Sequence, residues 1–169
     1  MTDGEFKQLV LPRYSDMYAA AFVILRDKND ACDVVQEVIA RLWERRKALE
    51  AATSLGSLCV VSVRNFCIDM LRKRHGRVSL DAELNLGYDV AGKSSTDDTA
   101  NYNSLLKAIS KVLSTMNGVQ RNVLTLSLIG RLTIDEIQQA TGETNVNVRQ
   151  ILSRGRRKLK EVLEDELQR

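Results

Sequence analysis

The sequence predicts an all-α protein built as two small helical domains joined by a flexible acidic linker. Three observations carry that prediction. Apolar residues recur at three- and four-residue spacing toward both ends of the chain, the signature of helices with one buried face. One Pro and nine Gly among 169 residues leave little punctuation for a many-stranded sheet. Between the two helical stretches lies a segment of small, polar and acidic residues without helical periodicity. With 44% hydrophobic and 28% charged residues the composition is that of a globular protein.

The net charge of +3 resolves along the chain into three parts. Residues 1–78 carry +3, residues 79–103 carry −4, and residues 104–169 carry +4. The middle segment includes Asp81, Glu83, Asp89, Asp97 and Asp98 among Gly, Ser and Thr. Fully extended it reaches roughly 80 Å, and as a flexible coil about 27 Å. Two mildly basic lobes around an acidic thread suit nucleic acid better than the bland total does.

The first helical stripe is Phe6, Leu9, Val10, Tyr14, Met17, Tyr18, Ala21, Phe22 and Leu25. Pro12 breaks or restarts it, because Pro has no N–H to donate and disfavours helix before it. Asp27-Lys28-Asn29-Asp30 makes a turn and supplies the N-cap of the next helix. That helix buries Ala31, Val34, Val35, Val38, Ile39, Leu42 and Trp43, and turns Asp33, Gln36, Glu37 and Arg41 outward. After a loop over 48–56, a third helix is expected from about Leu58 to His75. Its end is basic, with Arg72, Lys73, Arg74 and then Arg77. Four cations exceed what a helix C-terminus needs to complement its dipole, and they suit DNA phosphates.

In the second lobe Leu105, Leu106, Ile109, Val112, Leu113 and Met116 form one stripe, and Val119 to Leu128 begin another helix after Asn117-Gly118. Thr133-x-x-Glu136 is a capping box. The short helix 134–141 stops at Gly142, the residue that most readily takes the left-handed cap conformation. Thr144 or Asn145 caps a long helix running to about Glu166. A short helix, a tight Gly turn and a longer helix make a helix-turn-helix, whose second helix enters a major groove. Val148, Leu152, Gly155, Leu159 and Val162 form its inward face, with Arg149, Arg154, Arg156, Arg157, Lys158 and Lys160 around the rest. Asn145, Asn147, Arg149 and Gln150 occupy the first turns, where base edges are met. Asn and Gln pair with adenine, and Arg with guanine.

Both lobes together resemble bacterial RNA polymerase sigma factors of the extracytoplasmic-function group. Asp30-Ala31-Cys32-Asp33-Val34-Val35-Gln36-Glu37-Val38-Ile39-Ala40-Arg41-Leu42-Trp43 is similar to the region 2.2 pattern, and Arg64-Asn65-x-x-x-Asp69-x-Leu71-Arg72-Lys73 to the segment that follows. Gln120-Arg121 and Leu132–Leu159 are similar to region 4. The resemblance implies a protein that binds core RNA polymerase and makes it promoter-specific. Asp33, Gln36, Glu37 and Arg41 are then expected to bind the polymerase. Ser54, Asn65, Asp69, Arg72 and Arg74 are expected at the −10 element, where the loop near 51–57 holds a flipped base. Asn145, Asn147, Arg149, Gln150, Arg154 and Arg157 are expected at the −35 element. Domains of 1–78 (region 2) and 104–169 (region 4) flank the linker 79–103, which threads toward the RNA exit path. The group is commonly held by an anti-sigma partner, often membrane-bound. The chain departs from the family pattern at Leu58 (usually aromatic), Val61, Asn117, Gln138, Glu143, Val146 and Asn147.

The remaining residues exclude other classes. One His, no Gly-rich phosphate loop and no metal-ligand spacing argue against an enzyme, a cofactor or a metal. Cys32, Cys59 and Cys67 are odd in number and lack a Cys-x-x-Cys, which argues against a disulfide framework. No apolar run approaches about 18 residues, and the first residues lack a signal pattern, so a cytoplasmic protein is expected. The alternative reading is a helix-turn-helix regulator whose first lobe senses or dimerises.

Overall fold

The computed structural model describes residues 1–51, 55–75 and 97–167. Among them lie eight α-helices, two short 3-10 turns and no strand. The helices are α1 (Asp3–Val10), α2 (Tyr14–Leu25), α3 (Lys28–Glu44), α4 (Leu55–His75), α5 (Asp97–Ser114), α6 (Gly118–Leu128), α7 (Ile134–Thr141) and α8 (Asn145–Leu167).

Local chemistry sets the boundaries in the first lobe. Thr2 opens α1 with a capping box: Glu5 N donates to its hydroxyl (3.2 Å), and Thr2 N donates to the Glu5 carboxylate (2.7 Å). Pro12 sits at the start of the 3-10 turn Leu11–Arg13, where its missing N–H harms no helical bond. A 3-10 turn thus separates α1 from α2, and Leu9 is half exposed. Asp27 caps α3 by accepting the Asp30 N–H at 2.8 Å. Helix α4 begins at Leu55, three residues before the expected start, and so brings Gly56 and Ser57 into its first turn.

Helix α2 is the axle of this lobe. Every residue from Met17 to Ile24 is buried, because α3 and α4 pack on it from the first lobe and α5 from the second. Phe6 closes one end, edge-on to Trp43 with ring centroids 5.1 Å apart, and the Arg46 guanidinium lies 4.0 Å from the Trp43 centroid.

In the second lobe α6 and α8 cross closely because position 155 has no side chain. A Cβ there would stand 2.5 and 2.6 Å from the Leu124 methyls. Helix α5 starts at Asp97, so residues 97–103, expected as the end of the linker, are helical. The apolar stripe begins only at Leu105, so no periodic pattern marks those first turns in the sequence. Residues 76–96, the rest of the expected linker with Arg77, lie outside the described residues, as does Ser54.

The two lobes pack on each other. Arg26, left-handed at φ 56° where α2 ends, sends its guanidinium to the Ser110 carbonyl of α5. The Ser57 hydroxyl at the start of α4 donates to Glu136 at the start of α7. Between these contacts the Gly130 backbone approaches Val60, whose methyl would lie 2.9 Å from an added Cβ.

Candidate nucleic-acid interface

The helix-turn-helix forms as its local signals require. Glu136 N donates to the Thr133 hydroxyl (3.2 Å), and Thr133 N donates to the Glu136 carboxylate (3.0 Å). Gly142 takes φ 77° and donates its N–H to the Gln138 carbonyl at 2.8 Å, ending α7. Of the two cap candidates for α8 it is Thr144 that serves, its hydroxyl accepting the Asn147 N–H at 3.1 Å. Val148, Ile151, Leu152, Gly155 and Leu159 face inward and are buried, with Val162 half-buried.

At 100° per residue, Val146, Gln150, Ser153 and Arg157 make the outward ridge of α8, flanked on one side by Arg149 and on the other by Asn147 and Arg154. Val146, Arg149, Gln150, Arg154 and Arg157 are all exposed. The structure divides the basic residues of α8. Arg156 donates to the Ser127 hydroxyl (3.1 Å) and Lys158 to the Thr115 hydroxyl (2.7 Å), so both are tied to their own lobe. Arg154 and Arg157 carry no such bond among the described residues. The first turn is already organised. Asn147 donates to the Glu143 carboxylate at 2.6 Å, Arg149 Nε to Asn145 Oδ1 at 2.7 Å, and Asn145 Nδ2 to Gln138 Oε1 at 3.2 Å.

In the first lobe α3 and α4 present a second polar surface. Asp33, Gln36, Glu37 and Arg41 are exposed on α3. Glu37 and Arg41 pair at 3.1 Å, and the Arg41 guanidinium rests 4.7 Å from the Phe66 centroid. Arg41 thereby joins Asn65 and Asp69 of α4 in one shallow cleft of about 220 Å³. Two expected sites thus share a border.

Asn65, Asp69 and Arg72 are exposed. Arg64 beside them is buried and donates to Asn65 Oδ1 at 2.9 Å, and burial lowers its pKa from the ordinary arginine value. Arg72 stands 3.9 Å from Asp69. Arg74 is turned away from this group toward Asp30 of α3, which it pairs at 2.9 Å. That hydrogen bond holds its pKa above the ordinary value. Leu58 and Val61 are half-buried on α4.

Arg121, Arg26 and Ser57 make tertiary contacts that the sequence did not indicate. Arg121 is fully buried and holds the carbonyls of Leu113 (3.0 Å) and Met116 (2.8 Å). Its neighbours in sequence carry no signal of that, since the carbonyls it serves are recognisable only once the α5–α6 corner is built. Among the described residues no group of His, Cys, Asp or Glu is placed to hold a metal ion, and no helix is long and apolar enough to cross a membrane.

Comparison with known proteins places both surfaces in a family context. Residues 9–77 match the family described as Sigma-70 region 2, and residues 106–159 the family described as Sigma-70, region 4. Together the matches span well over half of the chain. Among solved structures, the sigma factor RpoE of Bartonella quintana, in a complex with the anti-sigma factor NepR, shares this fold. The TM-score is 0.68 at 21% identity, over 95% of this chain and 97% of that one. A comparison with curated proteins gives no match.

Proposed function

The chain belongs to the sigma-70 family of RNA polymerase sigma factors, in the extracytoplasmic-function group, and from that premise we propose how its surfaces divide the work of transcription initiation. Core polymerase and promoter DNA are its partners. The observation that carries the division is the presence of two separate polar surfaces, one on α3 and α4 of region 2 and one on α8 of region 4.

Asp33, Gln36, Glu37 and Arg41 form the polymerase-binding face, an exposed strip held upright by the buried valines behind it. Asn65, Asp69 and Arg72, with Ser54 just before α4 in sequence, receive the −10 element. There an unstacked base exposes its edges for hydrogen bonding. Arg74 joins them only by exchanging Asp30 for a phosphate. On α8, Arg149 reads a guanine, Gln150 and Asn147 meet neighbouring bases, and Arg154 and Arg157 hold phosphates along the −35 duplex. The protein makes and breaks no covalent bond in this reading; melting is driven by binding to exposed bases and by polymerase contacts. It acts in the cytoplasm, where polymerase works. Like the RpoE sigma factor found in a complex with an anti-sigma factor, it is held in reserve by such a partner.

The test is in vitro transcription with core polymerase on genomic templates. Promoter-specific starts that disappear without this chain are expected, and Glu37→Lys is expected to weaken its capture of core enzyme. Absence of any promoter-dependent start overturns the reading, as does tight, specific duplex binding by the chain alone with no effect on polymerase.

A further inference from the structure

We propose that Gln138 and Asn145 are positioning residues for Arg149, so that the guanine preference of region 4 is set partly from α7, a helix that does not itself enter the groove. The inference rests on the assignment of Arg149 to base reading and adds to it how that side chain is aimed.

The chemistry of the three groups permits only one arrangement. An arginine has donors and no acceptor, so the Asn145 atom 2.7 Å from Arg149 Nε must be the oxygen. The other amide atom of Asn145 is then nitrogen, a donor, and the Gln138 atom 3.2 Å from it must be an oxygen. Donors and acceptors alternate from Arg149 on α8 to Gln138 on α7. The amide orientations follow from the charge at one end instead of being free to flip.

Two consequences follow for the groove. With Nε committed to Asn145, Arg149 keeps Nη1 and Nη2, the forked pair that matches guanine O6 and N7. A long exposed arginine otherwise samples many rotamers, and ordering it at the moment of binding is a loss that this chain of bonds removes beforehand. Asn145 meanwhile uses one lone pair of its carbonyl and one N–H within the protein, which fixes its amide beside Arg149. An apolar residue at position 138 would have no acceptor to hold Asn145.

The experiment uses holoenzyme, core polymerase with the full chain, and promoters carrying all four bases at each position of the upstream element. Transcription from each gives a base preference per position. Arg149→Ala should flatten the preference for guanine at one position. Asn145→Ala and Gln138→Met, which fills similar volume without an acceptor, should weaken that same preference about three- to tenfold, the range expected for one hydrogen bond. Other positions should keep theirs. Gln138→Glu, which keeps an acceptor facing Asn145, should retain the preference even where its charge lowers overall output. If Arg149→Ala flattens a guanine preference while Asn145→Ala and Gln138→Met leave it at the parental value, the positioning proposal is overturned and the base-reading role stands. If both variants lower every position equally, they act only on the fold, and the proposal is likewise overturned. If Arg149→Ala changes no position, the base-reading assignment itself fails.

Discussion

Arg121→Met removes the guanidinium that closes the corner between α5 and α6. The side chain is 1% exposed. Its Nε donates to the Leu113 carbonyl at 3.0 Å and its Nη2 to the Met116 carbonyl at 2.8 Å. These carbonyls lie where α5 ends, and a helix C-terminus has no following N–H groups to satisfy them. The Leu113 oxygen retains the Met116 N–H at 3.1 Å. The Met116 oxygen loses its good partner. Hydrogen bonds from a charged donor are worth about 1.5–3 kcal/mol each. Two of them, less the desolvation that a neutral Met no longer suffers, leave a net loss of about 2–4 kcal/mol. For a chain of this size that corresponds to a fall in Tm of roughly 4–16 °C. Thermal and urea unfolding followed by circular dichroism would measure it. Arg121→Lys, with a single point donor, should fall between the two. A Met variant within about 1 kcal/mol of the parent would refute the view that this arginine serves as the cap of α5.

Gly155→Ala should destabilise the second lobe, because the new methyl would stand 2.5 and 2.6 Å from the Leu124 side chain. Overpacking costs about 1–3 kcal/mol, while Ala gains about 1 kcal/mol in helix propensity. Adding Leu124→Ala should make the pair strongly non-additive, and a strictly additive double-mutant cycle would show that the two do not meet. Burial pushes the Cys59 thiol up to about 11 and the Cys67 thiol higher still. The fold therefore favours the protonated thiols. Their contribution is complete below the ordinary value near 9 and, for Cys59, is lost as pH rises through about 11. At neutral pH a thiol reagent should modify half-buried Cys32 first, and Cys59 and Cys67 only on unfolding. Three equivalents reacting together in the native protein would contradict that burial.

What was legible in the sequence was what short-range chemistry decides. Thr133, Glu136 and Gly142 act within a few residues of themselves, and the helix they bound is the one the sequence predicts. Spacing gave Val148, Leu152, Gly155 and Leu159 of the inward face of α8, to which the structure adds Ile151. The helix over 97–103 was not legible, because its turns are polar and it extends from a packed stripe that begins later. Leu105 and Leu128 follow the apolar spacing yet are 48% and 41% exposed, since spacing tells which side a residue is on but not how far the neighbours reach. At the candidate interface, exposure of Arg149, Arg154 and Arg157 was expected. The recruitment of Arg156, Lys158 and Arg74 to partners elsewhere was not, because those partners lie 29, 43 and 44 residues away in sequence. Arg26 and Ser57 reach still farther, 84 and 79 residues, and nothing local marks them.

Those last two bonds put the chain's own cohesion in competition with its task. Promoter elements whose names place them about 25 base pairs apart are separated by roughly 85 Å along a straight duplex. Two lobes of about 70 residues in contact have centres only about 30 Å apart. If each lobe takes one element, as proposed above, engaging both means surrendering Arg26–Ser110, Ser57–Glu136 and the seat of Gly130 against Val60. Whatever free energy holds the lobes together is subtracted from the apparent affinity for polymerase and promoter, tenfold for every 1.4 kcal/mol or so. Glu136 eases the exchange on one side: when it releases Ser57 it keeps Thr133, so α7 parts from the first lobe with its cap intact. A substitution that tightens the seam would thus yield a sturdier protein and a poorer initiator.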